Sequence, residues 1–74
     1  MQISETIEAY TKDDYDYFIR LEVREPYKLF NLGIGDSDPQ GEVSEQTIQV
    51  TPEALRKLHA TIEKMLDTVE RLEQ

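Results

Sequence analysis

From residue 16 the chain alternates between apolar and polar positions. In DYFIRLEVRE, Ile19, Leu21 and Val23 fall on one side of an extended strand, and Phe18, Arg20, Glu22 and Arg24 on the other. A period of two is the signature of a half-buried strand, because successive side chains point to opposite faces. Glu25-Pro26 ends the run, since proline has no amide proton to give a ladder. YKLFNLGIG resumes it, with Phe30, Leu32 and Ile34 as the inward set and Leu29 and Asn31 opposite. EQTIQV adds Ile48 and Val50 and stops at Thr51. Upstream, Ile3, Ile7 and Tyr10 could share one side of a helical turn, but the β-branched Ile3, Thr6, Ile7 and Thr11 favour an edge strand. TKDDYD, residues 11–16, is then the turn into the next strand.

The last segment changes period. VTPEALRKLHATIEKMLDTVERLEQ offers Thr51 as N-cap, Pro52 at the first helical position and Glu53 beside the positive helix end. Leu55, Leu58, Ile62, Met65, Val69 and Leu72 then follow at alternating spacings of three and four. Glu53→Lys57 and Asp67→Arg71 are favourable pairs on the far side, with the acid first. The spacing also suits a coiled coil, whose flanks normally carry charge pairs. Here one flank is Ala54, Thr61 and Thr68 and the other His59, Leu66 and Glu73. That makes a wide apolar face, which fits a sheet better than a lone partner helix. The predicted architecture is a single α+β domain over residues 1–74, in the order β-β-β-β-α. It has a small antiparallel sheet of three to four strands and one long amphipathic C-terminal helix packed on one face.

The proportions of these elements imply self-association. A helix of roughly 22 residues is about 33 Å long, whereas strands of six or seven residues cover about 20–23 Å. The stripe therefore outruns its sheet. With 74 residues, 38% hydrophobic content, two Phe, no Trp and no Cys, the chain has a thin core and no covalent staple. An isologous homodimer with Met65, Leu66, Val69 and Leu72 at or near the contact is the expected remedy.

Charge narrows the partners. Sixteen acids against eight bases give a net charge of −8, and residues 1–50 carry −7 of it against −1 for the rest. Such a field repels phosphate backbones and attracts cations or basic protein surfaces. Asp36, Asp38 and Gly41 match positions one, three and six of a calcium loop, with Val43 and Ser44 fitting the eighth and ninth. However, the fifth position is the neutral Gln40, and Thr47 stands where a bidentate carboxylate is required. Gly33, Gly35, Asp36, Ser37, Asp38, Pro39 and Gly41 are also what a hairpin loop selects. The stretch reads as a turn, with weak cation binding in loop 36–47 as the alternative. One His, no Cys and no phosphate-binding loop leave no catalytic constellation, metal centre or cofactor site in view. No apolar run approaches a membrane span, and MQISETIEAY lacks the basic start and apolar stretch of a signal peptide. A soluble cytoplasmic protein is expected.

TIQVTPEALRKL resembles the strand-to-helix join of the transcriptional coactivator family of single-stranded-DNA-binding dimers, and the similarity of layout covers roughly residues 17–72. It implies a four-stranded sheet before one helix, with nucleic acid on the open sheet face. Phe18, Arg20 and Arg24, with Tyr27 and Lys28, would supply stacking and phosphate contacts. Glu22 lies between those arginines, and the charge balance opposes them. The favoured expectation is a non-enzymatic acidic interaction protein, a regulator or inhibitor that binds a protein with a basic surface through its acidic loops. DDYDYF joins charge to interface-prone aromatics, so Asp13, Asp14, Tyr15, Asp16 and Tyr17, with Asp36 and Asp38, are the partner-binding candidates.

Overall fold

A computed structural model describes all 74 residues. Strands β1 (Gln2–Lys12), β2 (Tyr15–Arg24), β3 (Phe30–Ser37) and β4 (Val43–Val50) form one antiparallel sheet in sequential order, followed by helix α1 (Pro52–Leu72). The order β-β-β-β-α and the edge-strand reading of the N-terminus are both present.

Register sorts the side chains into rows across the sheet. One face stacks Ile3–Val23–Phe30–Val50, then Glu5–Leu21–Leu32–Ile48, then Ile7–Ile19–Ile34–Gln46. The next row is Tyr10–Tyr17–Asp36–Ser44. Three largely aliphatic rows thus give way to an aromatic and acidic one. Tyr10 joins this face only because the register shifts between Glu8 and Tyr10. An extra residue in one strand of a pair moves the side chains beyond it to the opposite face.

The turns are shorter than the composition suggested. Asp13 and Asp14 alone connect β1 to β2, with φ of 54° and 65°. Two consecutive left-handed residues match the strand twist of a tight hairpin, and aspartate tolerates that geometry. Gly33 and Gly35, which fit a hairpin loop as well as the strand read in YKLFNLGIG, lie inside β3. The β3–β4 turn is confined to Asp38–Glu42: the Asp38 carboxylate accepts from the Gln40 amide at 2.9 Å and from the Glu42 amide at 2.8 Å. Gly41 takes a φ of 87°, and a Cβ there would meet no atom within 4 Å. Gly41→Ala is therefore expected to cost about 1–2 kcal/mol through backbone strain alone, read as a lower urea midpoint at unchanged slope.

Helix α1 starts as its cap residues dictate. The Thr51 hydroxyl accepts from the Ala54 amide at 3.1 Å, and Arg71 pairs with Asp67 one turn earlier. Its position differs from expectation, because α1 does not cover its own sheet. Nearly all packing between elements lies between adjacent strands, and within α1 only Pro52 and Leu55 are even half-buried. Thr51 alone separates β4 from α1, and its backbone is extended (φ −79°, ψ 158°). That is the ordinary geometry of an N-cap, and here it carries α1 onward from the end of β4 without returning it to the sheet. The molecule is consequently a flat plate of 40 × 39 × 16 Å with a radius of gyration of 15.0 Å, where a compact chain of this length has about 11 Å. Val23 is the single buried hydrophobic residue.

Candidate functional site

The polar sheet face carries the residues assigned to the nucleic-acid alternative. Arg20 donates to the Glu45 carboxylate at 2.8 Å and to the Thr6 hydroxyl at 3.2 Å, and Arg24 donates to Gln2 at 2.6 Å. Glu22 accepts from Gln2 at 2.9 Å and from Asn31 at 3.1 Å. Phe18 lies with the Arg20 guanidinium 5.2 Å from its ring centre. Glycines make this network possible: a Cβ at Gly33 would collide with the Glu45 carboxylate, and one at Gly35 would stand 2.7 Å from the Phe18 ring. Arg20 and Arg24 thus serve the sheet's own polar groups. Tyr27 and Lys28 lie in the β2–β3 connection, off the strands.

The opposite end of the sheet gathers most of the predicted partner-binding residues. Antiparallel order puts the β1–β2 and β3–β4 turns at the same end, so Asp13 and Asp14 stand near Asp36 and Asp38 in the fold. Tyr15, Tyr17 and Asp36 share the apolar face. Asp16 belongs to the polar face, where it accepts from Thr11 at 2.8 Å. Asp38 is turned into its own loop, as described above. Tyr10 was missed as a site residue: its ring stacks on Tyr17 with centres 4.6 Å apart and planes 8° from parallel. Tyr15 extends the group, 6.5 Å from Tyr17. The Tyr17 hydroxyl is held above its ordinary range by loss of hydration first, then by Tyr10, Asp36, Tyr15 and Asp13.

Between this aromatic row and the aliphatic row above it lies an open pocket of about 390 Å³, lined by Tyr10, Tyr17, Ile19, Ile34, Asp36 and Gln46 among others. That volume falls within the range of small-ligand pockets.

Elsewhere the site chemistry is sparse. His59 is exposed on α1 and lies 3.3 Å from Glu63. No group of three or more His, Cys, Asp or Glu side chains converges as a metal site would require. In the calcium-like loop, Asp36 and Ser44 face each other across a β-hairpin, and the Asp38 carboxylate accepts from the amides of its own turn. The predicted contact residues of α1 are open to solvent, with exposures of 61% for Met65, 58% for Leu66, 47% for Val69 and 80% for Leu72. No helix is long and apolar enough to cross a membrane.

Compared with protein families, curated proteins and solved structures, the chain matches none, so the coactivator-like layout rests on the order of its elements alone.

Proposed function

We propose that the chain works as a homodimeric, non-enzymatic interaction module that binds a basic protein surface through the acidic end of its sheet. The observation that carries the reading is its uncovered area. The chain exposes 6315 Å², whereas a compact protein of 8.6 kDa exposes about 4,700 Å². The excess of about 1,600 Å² per copy, doubled across two copies, lies within the range of obligate homodimer interfaces. It is apolar where it matters: Ile3 and Ile48, in the two rows of the sheet farthest from the aromatic end, and Ile62, Met65, Leu66 and Val69 on α1 are all exposed. A second copy supplies what each surface lacks, a helix for the sheet and a sheet for the helix. Met65, Leu66, Val69 and Leu72 are the helix residues of that contact.

The partner follows from charge. Asp13, Asp14 and Asp36 lie at one end of the plate with Tyr15 and Tyr17, and the net charge is −8. Carboxylates beside aromatics favour a basic protein surface and disfavour phosphate. Retention on an immobilised arginine-rich polypeptide, falling steeply with salt, is the expected result, and Asp13, Asp14 and Asp36 replaced together by Asn should abolish it. Retention on single-stranded DNA without retention on the cationic surface would instead select the nucleic-acid alternative.

A further inference from the structure

We infer that Tyr10, Tyr15 and Tyr17, together with Asp36, form a receptor for one cationic side chain, a guanidinium or an ammonium, projecting from a basic partner protein. This deepens the partner reading above and rests on it.

The pocket is amphipathic in the same sense as its ligand. Ile19 and Ile34 line one half, and Tyr10, Tyr17 and Asp36 the other. Arginine and lysine carry an apolar stem and a charged head, and they bind best where the stem meets aliphatic carbon and the head meets negative potential. Aromatic ring faces supply that potential through their quadrupole, and a carboxylate beside them strengthens it.

The two faces of the sheet differ in one respect that points to the ligand. On the polar face, Phe18 already has a cation of this chain, Arg20, at 5.2 Å. On the apolar face, three tyrosines are grouped at centre separations of 4.6 and 6.5 Å, and no cation of the chain lies over them. Lys12, opposite Tyr15 at the margin of the row, forms no ion pair within the chain. The shift that brings Tyr10 to this face is a local irregularity of β1, and such bulges commonly re-aim a side chain beside a binding site. A nucleobase could also stack on these rings, but its phosphates would face Asp13, Asp14 and Asp36.

The test is a titration of the full-length dimer with an arginine-rich peptide, following tyrosine ring resonances, with a glutamate-rich peptide and oligothymidylate as comparators. Saturable shifts at Tyr10, Tyr15 and Tyr17, absent at Tyr27, are expected with the arginine-rich peptide alone. Tyr17→Leu should weaken binding about tenfold, and Tyr17→Phe, which keeps the ring face, less than about threefold. Tyr10→Leu on the edge strand gives a second variant should Tyr17→Leu perturb folding, which backbone amide spectra would reveal. Wild-type affinity in folded leucine variants, with loss in Asp13→Asn and Asp14→Asn, would overturn the receptor and leave the acidic-loop reading standing. Absence of any peptide binding would remove both. Ring shifts driven by oligothymidylate would replace the cationic side chain with a stacked base.

Discussion

Val69→Asp is expected to unfold the chain at micromolar concentration rather than release a stable monomer. The monomer has one buried hydrophobic residue, Val23, so almost nothing holds a solitary copy together. In the proposed dimer each substitution occurs twice. Each copy forfeits roughly 1.5–3 kcal/mol of valine burial and gains a carboxylate that costs several kcal/mol to dehydrate. The sum per dimer, on the order of 10 kcal/mol, compares with the whole stability of a small protein. Circular dichroism should show loss of both strand and helix signals. Lys64→Gln, on the far side of α1 with similar helix propensity, should change stability by no more than about 0.5 kcal/mol. A Val69→Asp chain with native dichroism and unchanged mass would show that the stripe is not a contact.

Gly35→Ala is expected to be the most damaging single-methyl change within the sheet. A Cβ at Gly35 would collide with the Ser44 carbonyl oxygen and would stand 2.7 Å from a Phe18 ring carbon and 3.0 Å from the Glu45 Cα. Two of these neighbours are backbone and cannot rotate away, so β3 and β4 would have to separate locally. Overpacking of this kind costs about 1–3 kcal/mol. At Gly33 the obstruction is the Glu45 side chain, which can swing aside at the expense of its contact with Arg20. That ion pair is partly exposed and is worth about 0–1 kcal/mol. Gly35→Ala should therefore lower the urea midpoint more than Gly33→Ala. Equal midpoints would mean that the strands yield where the geometry says they cannot.

What was legible in the sequence was local. Ile19, Leu21 and Val23 announced a strand face by their spacing, and Thr51-Pro52 announced the start of α1 by capping chemistry. Both depend on neighbours a few residues away. The position of α1 was not legible, because an apolar stripe calls for a covering layer without specifying where that layer lies. The shift beside Ala9 left no trace either: one extra residue has no compositional signature, so Tyr10 could not be placed beside Tyr17. Arg20 meeting Glu45, 25 positions away in sequence, required the register that Gly33 permits. Residues 33–41 could be divided between strand and turn only approximately, because glycine serves strands that are crossed by large side chains as well as turns.

Sedimentation equilibrium at micromolar concentration bears most directly on the claim that two copies cover each other's apolar surface. The expected result is a single species of about 17 kDa, twice the 8.6 kDa chain, that loses its folded dichroism as it dissociates on dilution. A species of 8.6 kDa that keeps full strand and helix signals at the same concentration would contradict it.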